Sequence, residues 1–238
     1  AALLVGGYFY AGMWPESQIF GRTLISGDDP AEFALTYDDG PNDAYTERLL
    51  DILARHNAQA TFFLIGRFAR QRPDLVRRIQ AAGHAIGNHT CTHPRLMFQP
   101  PARIREELSS TNAALEDILG ERVRYFRPPY GARRPAVLRI ARELGLVPVL
   151  WNVMAFDWKP IPAEGLLQRM ERGIARNQRH SRGSNLLLHD GGHRGIGVDR
   201  SRTIAATAAL LERWHGRARF VTVAQWSEVP DTGARVSV

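Results

Sequence analysis

The stretch FALTYDDGPNDAYTERLLDILARHNAQATFFLI, Phe33 to Ile65, decides the fold class. Phe33–Tyr37 and Ala60–Ile65 are apolar runs of strand length, and between them Tyr45–His56 sets Leu49, Leu50, Ile52 and Leu53 on one face of a helix. The alternation continues with predicted strands near Ala85–Gly87, Arg124–Phe126, Val147–Trp151, Leu186–Leu188 and Phe220–Val223. Helical periods fill the gaps over Pro73–Ala82, Pro101–Leu119, Pro135–Leu144, Ala163–Asn177 and Arg202–Trp214. About seven strands joined by helices make an α/β fold with a parallel sheet. Both faces of such a sheet need cover, which leaves an open doubly wound sheet and a barrel as alternatives. In either, ligands bind at the C-terminal rim of the strands, and Asp38, His89, Arg127, Asp157 and His189 all fall just beyond a predicted strand there.

Thr36-Tyr-Asp-Asp-Gly-Pro41 puts two carboxylates side by side at a strand end, where their repulsion calls for a cation or a shared proton. Adjacent side chains diverge, so one can hold a metal while the other handles protons; a solvated Asp-Asp turn is the plainer alternative. In Asn88-His-Thr-Cys-Thr-His-Pro94, His89 and His93 stand four apart, the spacing of two metal ligands on one helical turn. Cys91 lies off that face and reads as a spacer. Two histidines and one carboxylate leave positions open for water and substrate, as in catalytic sites; zinc suits such ligands, and Co, Ni, Mn or Fe fit the same set. Arg127-Pro-Pro-Tyr-Gly131, Asp157-Trp158 and Leu186-Leu-Leu-His-Asp190 belong to the same rim. His189 has the chemistry of a general acid if a carboxylate keeps it protonated, and otherwise reads as an ordinary strand-end histidine. A GxSxG serine motif is absent from the sequence.

The 238 residues suffice for one covered core. Lys and Arg number 31 against 24 Asp and Glu, a net charge of +7 carried almost wholly by arginine. The arginines are scattered over helices rather than gathered among aromatics, which argues against nucleic acid and suits an anionic wall or membrane surface. The single cysteine rules out an intramolecular disulfide and leaves the redox compartment open. Residues 1–25 form a separate apolar segment ahead of the main domain, 26–238. The uncharged run from Ala1 to Trp14 is shorter than a bilayer span and reads either as the remnant of a signal or membrane anchor or as a segment packed on the domain.

With these motifs present in order between Phe33 and about Val223, the sequence resembles the polysaccharide deacetylases, the carbohydrate esterases that include chitin, chitooligosaccharide and peptidoglycan deacetylases. The resemblance implies a distorted (β/α) barrel with fewer than eight strands, acting on a glycan; the reading of residues 1–14 as a signal or anchor remnant would place it outside the cytoplasm. It implies Asp38 as the base, Asp39, His89 and His93 as ligands of one divalent ion, and His189 as the acid. Asp157 would orient His189 and Arg127 would fix Asp157. The backbone N–H of Tyr130 would stabilise the oxyanion, and Trp158 and Leu187 would line the acetyl pocket and groove. An O-acetyl xylan esterase, an enzyme of lipid-linked sugars and an inactive glycan-binding protein are the rival readings. Two departures from the family pattern, Met154 and Asn185, bear on groove shape and substrate preference.

Overall fold

A computed structural model describes residues 2–227, with side chains from residue 6 onward. The strands are β1 Glu32–Asp38, β2 Ala60–Leu64, β3 Ala85–Asn88, β4 Tyr125–Phe126, β5 Val147–Pro148, β6 Val153–Met154, β7 Ser184–His189 and β8 Arg219–Phe220. The helices are α1 Ala2–Met13, α2 Asp43–Arg55, α3 Gly66–Gln71, α4 Pro73–Ala81, α5 Pro101–Leu119, α6 Pro135–Glu143, α7 Ala163–Arg179 and α8 Ser201–Arg213. Seven strands run in the order β5-β4-β3-β2-β1-β7-β6, and β8 pairs with the start of β1. Every pairing is parallel.

The order decides between open sheet and barrel. The two edge strands, β5 and β6, are separated in the chain only by residues 149–152. A sheet whose opposite edges are joined by so short a link must curl until they nearly meet, giving a distorted barrel. The expected strand Val147–Trp151 is therefore divided: β5 ends at Pro148, and Asn152 already donates to Asn185 of β7. Leu24 fills the seam, accepting from Leu150 and donating to Pro148. Two helices, α1 and α3, were not foreshadowed by the periodicity.

The period of two along β1 sorts its side chains. Phe33, Leu35 and Tyr37 pack outward with Leu49 and Leu53 of α2 and Leu210 of α8 in the main core, while Ala34 joins Phe63, Tyr125 and Val221 in the barrel interior. Thr36 and Asp38 continue the inward row. In register, Asp38 lies beside His189 of β7, so the two side chains rise from neighbouring strands at one end of the barrel.

Residues 10–24 lie against the barrel. Arg133, wholly buried, donates from its backbone to Gly12 (3.0 Å) and from its guanidinium to the carbonyls of Trp14 (2.8 Å), Ser17 (2.7 Å) and Gly131 (3.1 Å). One side chain thus ties the segment after α1 to the loop after β4. Among the described residues no helix is long and apolar enough to cross a membrane.

Candidate metal centre and active site

Asp38 closes β1, and Asp39 turns away from it with a left-handed backbone (φ 72°). Asp39 Oδ1 lies 3.2 Å from His93 Nε2 and 3.5 Å from His89 Nε2. Donors around one tetrahedral ion with bonds of ~2.1 Å stand about 3.4 Å apart, so this spacing fits a metal. Asp39 Oδ1 is buried without a hydrogen-bond partner, facing two ring nitrogens, as a carboxylate oxygen kept for a cation would be. His89 directs Nδ1 to the carbonyl of Arg127 at 2.8 Å, which leaves Nε2 as the donor atom. Burial, with the neighbouring His89 adding to it, lowers the pKa of His93 to about 3, so the ring is neutral as a ligand must be.

The two histidines do not share a helical turn. Residues 89–95 form a loop in which Thr90 (φ 67°) and His93 (φ 62°) are left-handed. Two caps hold it: Asn88 Oδ1 accepts from Thr90 N–H, and Thr90 Oγ1 accepts from His93 N–H. Buried Glu107 of α5 accepts the backbone N–H groups of Cys91 and Thr92. Cys91 Sγ lies by Arg70 and Ser110, outside the group formed by Asp39, His89 and His93. Asp39, Thr90, His93, Tyr130 and Phe156 are all non-glycine residues with positive φ, and all lie on rim loops. Such backbone strain gathers where a site must be held in one arrangement.

Arg127 sits elsewhere in the network than expected. Its guanidinium donates to Asp38 Oδ1 at 2.9 Å and to Thr36 Oγ1 at 2.7 Å, and it lies over the Phe63 ring; it does not hold Asp157. The correction follows from the curl. On a flat sheet β4 would stand three strand spacings, about 14 Å, from β1, whereas the barrel brings Arg127 across the interior to Asp38. Asn185 supports this pair from below, accepting from Thr36 and Arg127 and donating to Leu150. That departure from the family pattern bears on Asp38, while Met154 lines the cleft.

Asp157 has other partners. It accepts from the backbone N–H of His189 and from its Nδ1, both at 2.8 Å, and from Thr203 Oγ1 at 2.9 Å. Burial alone would depress the pKa of His189, but the charge and hydrogen bond of Asp157, with Asp39 and Asp38 beyond, raise it to about 9. Trp158 stands edge-on to the His189 ring. Two glycines permit the close packing below: a Cβ on Gly191 would come within 2.2 Å of the Asp39 carbonyl, and one on Gly40 within 2.4 Å of Asp190. Asp190 is buried and accepts from Thr46, and burial raises its pKa to about 7.

A cleft of about 480 Å³ gathers Asp38, Asp39, His89, His93, Tyr130, Trp158, Leu187 and His189. Two of its walls were not anticipated from the sequence. Met13, Trp14 and Pro15 come from the N-terminal segment, where the aromatic run Tyr8-Phe-Tyr10 and Trp14 was the available signal. His193, stacked on His93 at 4.6 Å, and Arg200 come from the loop after β7, which carries no motif of its own.

Residues 27–149 match the family model for polysaccharide deacetylase. The chain is 40% identical to a chitooligosaccharide deacetylase of Azorhizobium caulinodans over 73% of its own length and 80% of the relative's. The chain belongs to the polysaccharide deacetylase family. Among solved structures, a peptidoglycan N-acetylglucosamine deacetylase superposes with a TM-score of 0.78 at 32% identity, covering 87% of this chain and 94% of the other. An acetyl xylan esterase from Clostridium thermocellum, solved in complex with cobalt, gives 0.72 at 30% identity over 82% and 89%. These family members share the distorted barrel, and the chain is accordingly a carbohydrate deacetylase by descent.

Proposed function

We propose that this protein hydrolyses the N-acetyl group of N-acetylglucosamine units in an extracytoplasmic glycan of the chitooligosaccharide or peptidoglycan type, with Asp38 as base and His189 as acid. The observation that supports this division best is the pairing in register of Asp38 and His189, each tied to a different partner, beside the group of Asp39, His89 and His93.

Asp39, His89 and His93 would hold a divalent ion, zinc by ligand type, which would supply Lewis acidity toward the acetyl carbonyl and lower the pKa of water. Asp38 takes the proton of the attacking water through the oxygen that faces the cleft, while Arg127 holds the other oxygen. The new C–O bond forms as the carbonyl π bond opens. The Tyr130 N–H, on its left-handed backbone, is assigned to the oxyanion. His189, charged through Asp157, then gives its proton to the amine nitrogen as the C–N bond breaks, leaving acetate and a free amino sugar. Trp158 and Leu187 line the acetyl side of the cleft.

Acetate release from N-acetylglucosamine oligomers tests the proposal. A chelator should abolish it and added zinc or cobalt should restore it; full activity after exhaustive metal removal would contradict the reading.

A further inference from the structure

A second cavity of about 440 Å³ adjoins the catalytic cleft and shares with it Trp14, Pro15, Trp151, Met154 and Phe156. Its far wall is α7, which presents Arg169, Arg172 and Arg176 at spacings of three and four, on one helical face. Among the described residues the only acidic one lining it is Glu16, and Arg182 also pairs with Glu16, at 3.0 Å. Arg176 lies 3.8 Å from Glu16 and donates to the Asn152 carbonyl. Arg169 lies over the Phe156 ring. Arg172 is exposed, and among the described residues it has no carboxylate within ion-pair distance. The cavity therefore joins an aromatic wall continuous with the catalytic cleft to cationic groups left over after Glu16 is paired. Guanidinium groups with unspent donors next to a sugar-sized apolar wall are suited to a carboxylate or phosphate on a ring that stacks there.

We infer that this cavity is an anion subsite for the glycan, receiving an acidic substituent on a sugar adjoining the one whose acetyl group is removed. The preferred substrate is then an acidic glycan rather than a neutral N-acetylglucosamine oligomer. The inference rests on the deacetylase reading above and narrows its substrate class. Trp14, tied down by Arg133, forms the shared wall over which the chain passes.

The test measures acetate release from three substrates: a neutral N-acetylglucosamine oligomer, a peptidoglycan fragment with free carboxylates, and an oligomer bearing a sugar phosphate. The wild-type protein should favour at least one acidic substrate, which also tells carboxylate from phosphate, and the preference should fade as salt is raised. Arg169→Gln with Arg172→Gln should raise KM for that acidic substrate about tenfold, leaving kcat and the neutral oligomer unchanged. Arg169→Lys with Arg172→Lys should restore part of the loss, since charge without the planar fork remains. Equal KM values for neutral and acidic substrates in the wild type, or an equal loss on all three in the glutamine variant, would overturn the inference while leaving the deacetylase reading intact. No acetate from any substrate would instead refute that underlying reading.

Discussion

Two buried carboxylates, Asp38 lining the cleft and Asp157 behind His189, are proposed to serve opposite ends of one reaction, and their partners explain why. Asp38 is bonded to Arg127, a guanidinium that does not release its proton in a protein, so the pair cannot supply an acid. Asp157 is bonded to His189, an imidazole that can gain and lose a proton near neutral pH. On the proposed reading Asp38 keeps an oxygen for accepting a proton, whereas Asp157, with both oxygens bonded to His189 and Thr203, would act through the ring it orients. In the proposed mechanism the identity of the cation, more than the burial of the carboxylate, separates base from acid.

The sharpest way to break this comparison is on the metal side. Asp38→Asn should keep the metal, since Asp39, His89 and His93 are untouched, but lose about 10²–10⁴ in kcat. Asp39→Ala should lose the metal as well. Calorimetric zinc titration beside acetate release separates the two, and metal loss in Asp38→Asn would make Asp38 a ligand instead.

On the other side, the raised pKa of His189 fixes a pH window. As the proposed acid, His189 would be loaded below its folded value of about 9 and empty as pH rises through it, so kcat/KM should fall on the alkaline side. A cation on Asp39 would offset part of the charge that raises this value, so the alkaline limb should lie at lower pH in the metal-loaded enzyme. Asp157→Asn should move the alkaline limb toward the ordinary histidine value, about 6.5. A limb that stays in place would detach Asp157 from the acid. The same coupling sets a stability term present below pH 6.5 and lost as pH rises through the folded value.

The smallest effect belongs to Asn185. Asn185→Leu removes the amide that supports Thr36, Arg127 and the Leu150 carbonyl, at an expected ~1–3 kcal/mol of stability. Thermal unfolding should register it, with less than a tenfold change in kcat. A larger loss in kcat than in stability would mean that Asn185 tunes Asp38 directly.

What the sequence made legible was local. The inward place of Asp38 follows from the period of two in β1, and the helices with leucine faces follow from their own spacing. The His89–His93 loop was misread as a helical turn because spacing of four is shared by helices and by a loop closed with the Asn88 and Thr90 side chains. The Arg127–Asp38 bond was hidden because it spans the barrel interior, and so depends on a curl that no short segment encodes. Trp14 and His193 were hidden for a related reason: each reaches the cleft from a segment with no periodic pattern, one tied down by Arg133 and the other stacked on His93.

The division of labour between Asp38 and His189 has one direct measurement. An aryl acetate carries a leaving group that departs without protonation, whereas the N-acetyl amide needs a proton on its nitrogen. Comparing both substrates in the metal-loaded variants, His189→Ala should lose about 10²–10⁴ on the amide while keeping aryl acetate hydrolysis within about tenfold, and Asp38→Asn should lose both. Equal losses on the two substrates in His189→Ala would contradict its assignment as the acid.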